Sequence, residues 1–524
     1  MEGHSISVER KLTYLGVVLD HRLTWLPHVK AIRTACTIIF SALARVARSN
    51  WGLNSEALRL IYQGVFIPKM TYAAAAWYTV ATKRAIIRNL LSAQRVALLR
   101  IAKAFRTTST EALLVIAGEP PIDLLIRESA VKYMNRRGLP INIGGTSWIG
   151  TEYELKPKAS EMPRPYERQA IRIAEENERA MIEIYSDGSK IDGRVGAAYT
   201  VLERGHEISY GQYRLEDYFT VYQAELFAIL MAVRWSITTQ SAHEIIIHMD
   251  SQAAIQTLQQ YKDSNQMAME VKKLLKLSNI IVKVKWVKAH VGVADNERAD
   301  ALAKEAANLP EVTYNKIPST HIKGLLRQYT IEEWQDRWTY SNKGRHTYWL
   351  LPNVEERIKE LSWLPIDYVR TQLYSNHCNT KEYLQRVGQD RDTQCDCGET
   401  TESLEHLVDS CIKHERERMQ LHVAANQARD QQSTDLYMLI RNKDIVHELR
   451  NFARSILCKG VGASGSYAHV ASSHKSVSAY SGTRVTLIPE RGNDDHPMKK
   501  KMSLSTDYSV DCSNSWMTVD KSSS

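Results

Sequence analysis

The chain has 524 residues, 44% hydrophobic and 24% charged, with a formal net charge of +9. That balance is ordinary for globular protein, and the length allows several domains. The most apolar run, around Ala73 to Ala81, is too short to span a bilayer, so no membrane partner is expected.

Met1-Glu2-Gly3-His4-Ser5 lacks the basic-then-apolar pattern of a secretory signal. Seven scattered cysteines, Cys36, Cys378, Cys395, Cys397, Cys411, Cys458 and Cys512, do not read as a disulfide framework. A soluble intracellular protein is expected, with the nucleus slightly favoured over the cytoplasm. Charge is unevenly placed. Residues 1–138 hold 20 Lys/Arg against 8 Asp/Glu, and residues 181–307 hold 14 against 16. A basic segment beside an acidic one suits a polyanionic substrate bound near a metal centre.

Residues 1–138 read as mainly helical after a short strand pair, Leu12 to Asp20, around Gly16. Helical stripes then run through Val29, Ile32, Cys36 and Leu43, through Leu58, Ile61, Val65 and Ile67, and through Leu90, Leu91, Leu98 and Ile101. The polar side of the third carries Arg95, Arg100 and Lys103, with Arg106 beyond, which are candidate phosphate contacts. The Thr107 to Glu111 segment predicts a helix cap. Glycine and proline between 139 and 180 predict a linker, with a short charged helix over 168–180.

The 181–308 segment predicts an α/β domain: a mixed five-stranded sheet with flanking helices, preceded and followed by mainly helical segments. Asp187 ends the apolar part of the first strand, Asp250 ends a later buried strand, Glu225 lies in an apolar helix, and Asp300 sits in the closing helix. If the first and later strands are parallel neighbours, Asp187 and Asp250 emerge at one sheet edge. Four converging carboxylates need cations to neutralise them, and an all-oxygen set suits Mg²⁺ or Mn²⁺. Two such ions can activate water and stabilise the leaving oxygen of a phosphodiester.

Residues 309–459 predict a helical segment, rich in tryptophan over 309–384 and including an amphipathic helix over Leu436–Ile456. Cys395, Cys397, His406 and Cys411 make a C-x-C-x8-H-x4-C set whose soft ligands suit tetrahedral Zn²⁺. Residues 460–524 are dominated by Ser and Gly, carry Lys499-Lys500-Lys501, and predict a disordered tail.

Tyr185-Ser186-Asp187-Gly188-Ser189, Gln223-Ala224-Glu225-Leu226, Met249-Asp250-Ser251, His290-Val291-Gly292 and Asn296 to Asp300 together resemble type 1 ribonuclease H. The resemblance implies cleavage of the RNA strand of an RNA–DNA hybrid, leaving 5′-phosphomonoesters. It implies Asp187, Glu225, Asp250 and Asp300 as metal ligands and His290 as a mobile-loop histidine for product release or proton transfer. The motif neighbours Ser189, Gln223, Ser251 and Asn296 are expected to face the nucleic acid. A DDE transposase or integrase shares such a sheet, but the His290–Asp300 spacing and Gln223-Ala224-Glu225 argue against it.

Tyr14 to Asp20, Trp51-Gly52-Leu53, Tyr72 to Trp77 and Ala104 to Leu113 resemble the thumb and connection of LINE-type retrotransposon reverse transcriptases. The Cys/His set resembles the zinc knuckle that follows the nuclease in that family, with nucleic acid as its expected ligand. The sequence has no aromatic-x-Asp-Asp palm motif, so the resemblance implies a polyprotein portion that does not polymerise. RNA, DNA and their hybrid are the expected partners. A domesticated protein that binds nucleic acid without cutting is the alternative.

Overall fold

The computed structural model describes residues 9–47, 52–154, 171–239, 243–260, 265–288, 292–389, 392–428 and 435–458. His290, the lysine triplet and the 460–524 tail lie outside the described residues. Within those residues no helix is long and apolar enough to cross a membrane.

The chain opens with an antiparallel pair, β1 (Lys11–Tyr14) and β2 (Val17–Asp20), turning at Gly16. Helix Leu26–Leu43 follows, and then Ser55–Ile61 runs through a π-helical turn, Tyr62–Phe66, into Ile67–Thr71. The buried stripe of this second unit is Leu58, Tyr62, Phe66 and Met70, while Leu60 and Val65 face solvent. The stripe expected through Val65 and Ile67 is therefore displaced. The wider π turn carries every fourth residue onto one face. Ser109 caps Thr110–Ala117 by accepting from the Ala112 amide at 3.1 Å, and Gly118, at φ +67°, ends it.

A small hairpin, β3 (Ile141–Ile143) and β4 (Thr146–Trp148), precedes the main sheet. That sheet has six strands in the order β5-β10-β9-β6-β7-β8. Five were expected: β6 (Ile182–Ile191), β7 (Arg194–Glu203), β8 (His206–Leu215), β9 (Glu244–Met249) and β10 (Ile281–Trp286). The sixth, β5 (Arg172–Ile173), adds two residues to the edge, parallel to β10. The short charged helix expected over 168–180 is absent from the described residues 171–180, where pairing with Lys283 and Val284 draws the chain into an edge strand.

Two glycines set the layers. A Cβ on Gly188 would lie 2.4 Å from the Glu225 amide nitrogen, so helix Val221–Thr239 presses directly on β6. A Cβ on Gly196 would lie 2.2 Å from the Ala303 carbonyl, so helix Ala294–Ala306 presses on β7 from the other face.

The helices before and after the nuclease-like domain share one core. A single apolar cluster includes Val29, Phe40, Trp77 and Leu98 from the first segment, and Trp334, Trp338, Leu373 and Phe452 from the last. Polar links cross the same boundary. Arg357, 1% exposed, donates to the carbonyls of Ile116 at 2.8 Å and Leu361 at 2.6 Å, and Arg337 meets Asp123 at 2.8 Å. The helix expected over Leu436–Ile456 is two helices, Leu436–Leu439 and Val446–Leu457, separated around Asn442 to Asp444.

Candidate active site and metal centres

β6 and β9 run parallel with Tyr185 opposite His248, an offset of 63 residues. Carried two residues further, the offset sets Asp187 level with Asp250, as the sequence reading requires. Asp250 lies just past the last residue of β9. Asp187 and Glu225 are 6% and 4% exposed. Asp187, Glu225 and Asp250 each bring a carboxylate oxygen into a group lying within 4.8 Å of one another. Glu225 reaches the group because Gly188, the residue after Asp187, lets its helix approach the strand.

Such a cluster is electrostatically costly. Burial, then the charges of Asp250 and Asp300, push the Asp187 carboxyl up to about 7, partly offset by the Gly188 amide. Burial and then Asp187 raise Glu225 well above the usual carboxylate range. Glu225 Oε2 is buried without a hydrogen-bond partner. An orphaned buried oxygen on one of three clustered carboxylates fits a hard divalent cation, which would supply the missing positive charge.

Asp300 lies close enough to raise both carboxyls, but it stands outside the three-residue group. Its Oδ2 is held by Lys304 Nζ at 2.6 Å, one turn along helix Ala294–Ala306. The sequence reading did not single out Lys304, although its i+4 spacing from Asp300 is visible. Gln223 accepts from the Thr220 amide at 3.2 Å and hydroxyl at 3.1 Å, and Ser251 caps Gln252–Gln259 through the Ala254 amide at 3.4 Å. Both side chains therefore have local structural work. Ser189 is half-buried on β6, and Asn296 is buried with Oδ1 unpartnered.

The second cluster is sulfur-rich. Cys395, Cys397, His406 and Cys411 place their ligand atoms within 4.8 Å of one another. A hairpin over 394–401, closed by pairing of Gln394 with Thr401 and turned at Gly398 (φ +85°), presents the first two. His406 lies in helix Leu404–Asp409, capped by Ser403, and Cys411 follows that helix. Cys395 Sγ and Cys411 Sγ are 3.8 Å apart, and Cys397 Sγ is 3.2 Å from His406 Nε2. A tetrahedron with metal–sulfur bonds of about 2.3 Å has edges of about 3.8 Å. The donor chemistry and spacing fit Zn²⁺.

Ser410 Oγ lies 3.0 Å from His406 Nδ1, leaving Nε2 turned to the sulfurs. This residue was missed in the sequence, where its i+4 position from His406 was the available signal. The Glu399 amide, 3.5 Å from Cys397 Sγ, lowers that thiol, whereas burial pushes Cys395 up to about 11. Cys378 is buried apart from the four, with its sulfur 3.8 Å from Thr380 Oγ1.

The four candidate phosphate contacts separate. Arg95 turns inward, donating to Thr110 Oγ1 at 3.2 Å and the Arg106 carbonyl at 2.6 Å. Lys103 is half-buried at φ +50°, in the field of Asp367. Arg100 and Arg106 are exposed.

Residues 179–308 match the family model described as RNase H. The chain is 41% identical over 143 residues to the retrovirus-related Pol polyprotein from type-1 retrotransposable element R1 4 of Nasonia vitripennis, covering 27% of this chain and 36% of that one. It is 38% identical over 139 residues to a 115 kDa protein in the type-1 retrotransposable element R1DM of Drosophila melanogaster, covering 26% of this chain and 14% of that one. The chain thus spans well under half the length of these relatives. It is also 30% identical over 137 residues to a ribonuclease H of Campylobacter jejuni, covering 24% of this chain and 90% of that one. The fold, the glycine-set approach of Glu225 to Asp187 and these matches agree: through the domain at residues 179–308 the chain belongs to the ribonuclease H family, and it is homologous to R1 retrotransposon Pol polyproteins.

Proposed function

We propose that this chain hydrolyses the RNA strand of RNA–DNA hybrids, as part of a retrotransposon reverse-transcription protein. The observation that carries the reading is the trio Asp187, Glu225 and Asp250, with Glu225 Oε2 buried and unpartnered. Asp187, Glu225 and Asp250 would hold Mg²⁺ or Mn²⁺, with Asp300 joining when Lys304 releases it. Two such ions supply an activated water and charge stabilisation at the leaving oxygen. The chain's own part is to bind and orient. Burial removes competing water from Asp187 and Glu225, and Gly188 fixes the spacing between them. His290 is proposed to assist proton transfer or product release. Ser189, Gln223, Ser251 and Asn296 are proposed to border the hybrid, with Gln223 and Ser251 acting through the helix ends they hold.

Cys395, Cys397, His406 and Cys411 are proposed to hold one Zn²⁺ that keeps the hairpin and helix Leu404–Asp409 together. Residues 1–138 and 309–459 are read as flanking segments that handle nucleic acid. Cleavage of RNA–DNA hybrid, duplex RNA and duplex DNA, each with and without Mg²⁺, tests the nuclease reading. Hybrid-selective, Mg²⁺-dependent cleavage that disappears in Asp250→Asn is the expected result. Binding of hybrid without any cleavage would favour the non-catalytic alternative.

A further inference from the structure

Away from the nuclease centre, the shared helical core brings cations from the first and last helical segments around Phe105. Thr371 Oγ1 donates to the Ala102 carbonyl at 2.6 Å and sets helix Tyr368–Ser375 against the end of helix Arg84–Ile101. Asp367, at the start of that helix, pairs with Arg370 and with Arg450 Nε at 3.2 Å, and its charge also reaches Lys103. One carboxylate thus serves three cations. Arg454 lies one turn after Arg450 on helix Val446–Leu457.

On the other flank, Thr107 Oγ1 lies 2.9 Å from His377 Nδ1 and also bonds Tyr383. Arg386 sits over the Tyr383 ring at 5.1 Å. Burial, then the positive charge of Arg386, lowers His377 to about 4. Arg106, Arg386 and Arg454 are exposed. Between the flanks, Phe105 stacks on Tyr368 at 6.0 Å and meets Tyr383 edge-on at 5.7 Å. Residues 95–111 hold Arg95, Arg100, Lys103 and Arg106 against one acid, Glu111.

We infer that the loop after Ile101, Arg386 and helix Val446–Leu457 together form a second nucleic-acid surface, gripping the phosphate backbone without reading sequence. Guanidinium groups match phosphate geometry, and half-buried Phe105 and Tyr368 among them suit a polymer that also carries bases. The inference deepens the proposed function by giving the same polymer a second contact. It does not depend on the nuclease chemistry. It also ties the candidate Arg106 to cations some 280 to 350 residues further along the chain.

The test is fluorescence-anisotropy binding of the full chain to single-stranded DNA, which a hybrid-cutting centre does not consume. Arms with single-stranded RNA, duplex DNA and anionic phosphatidylserine vesicles run beside it. Combining Arg106→Gln, Arg386→Gln and Arg454→Gln removes three charges. At about 0.7 per phosphate contact the salt slope should fall by about 2, with affinity near 0.1 M salt down about 100-fold for every sequence tested. Arg→Lys at the same positions should restore most of the binding, separating charge from folding damage. Unchanged strand binding and slope would overturn the inference, as would a loss confined to the vesicles. Cleavage of a short hybrid is measured in parallel. Its absence in the unmodified chain would refute the proposed nuclease while leaving the strand-binding result to stand or fall alone.

Discussion

Gly188→Ala is the sharpest probe of the centre. The added methyl would sit 2.4 Å from the Glu225 amide nitrogen, 2.7 Å from the Ala224 carbonyl carbon and 2.8 Å from Ala224 Cβ. Two of those neighbours are backbone, so no side chain can swing away. Ordinary contact needs a separation nearer 3.5 Å, so helix Val221–Thr239 must retreat by roughly 1 Å from β6. Overpacking of that kind costs about 1–3 kcal/mol. Glu225 rides on the helix, so it withdraws from Asp187 by a similar amount, and a misplacement of that size can cost about 100-fold in rate. Urea denaturation and Mg²⁺ titration of hybrid cleavage read the two effects separately. The expected result is a folded protein, destabilised by about 1–3 kcal/mol, needing more Mg²⁺ and cutting about 100-fold more slowly. Unaltered stability and unaltered Mg²⁺ dependence would refute the claim that this glycine sets the carboxylate spacing.

Without metal, the carboxyl of Asp187, raised to about 7, should favour the folded nuclease domain in acid. That contribution is present below the ordinary Asp range and is lost as pH rises towards 7, because the unfolded chain gives up its proton first and is favoured until the folded state ionises as well. Thermal melting in chelator from pH 4.5 to 8 should show the decline at the nuclease domain, and Mg²⁺ should reverse it near pH 7.5. A flat profile would count against a strained trio. At pH 7.5 in chelator, Glu225→Gln should raise stability by about 1–4 kcal/mol while abolishing cleavage, since the neutral amide avoids both a buried charge and the cost of protonating a carboxyl whose Oε2 has no partner. Cys411→Ser should abolish the proposed zinc binding, read by a colorimetric release assay, and increase amide exchange over 392–411 and at Thr107, whose hydroxyl bonds Tyr383. Arg357→Ala should cost at least about 3 kcal/mol in urea unfolding, because two core carbonyls lose their donor.

The convergence of Asp187, Glu225 and Asp250 was legible because strand endings and helix faces are local patterns. Asp187 and Asp250 each follow a run of β-formers, and Glu225 stands out among Ala224, Leu226 and Phe227. The parallel offset that makes the first two level is set by pairing, which needs two distant segments at once. Gly188 was visible only as a motif letter. Its function depends on which helix lands on it, and periodicity does not carry that. The edge strand Arg172–Ile173 has too few residues to show alternation, so its charges suggested a helix instead. The π turn at Tyr62–Phe66 shifted a stripe that a regular helical period placed elsewhere.

The union of the two helical segments is the feature least visible from spacing, and it changes how the nuclease domain should be thought of. Helical stripes around Leu98 and around Trp334 each say only that something covers them; the structure shows them in one cluster. The nuclease domain begins and ends near its junction with that unit. Tyr153 pairs with Ile317, Leu215 pairs with Tyr314, and the Tyr314 hydroxyl lies 3.1 Å from Glu154. A domain held at both ends has fewer ways to move than one on a single tether. Polymer gripped by the helical unit would therefore meet the Asp187–Glu225–Asp250 edge in a restricted set of orientations. Cutting the chain between residues 155 and 170, while leaving both halves together, should then preserve hybrid cleavage but weaken its preference for hybrids long enough to reach both surfaces. If the nicked and intact proteins show the same length dependence, the two attachments contribute nothing to orientation.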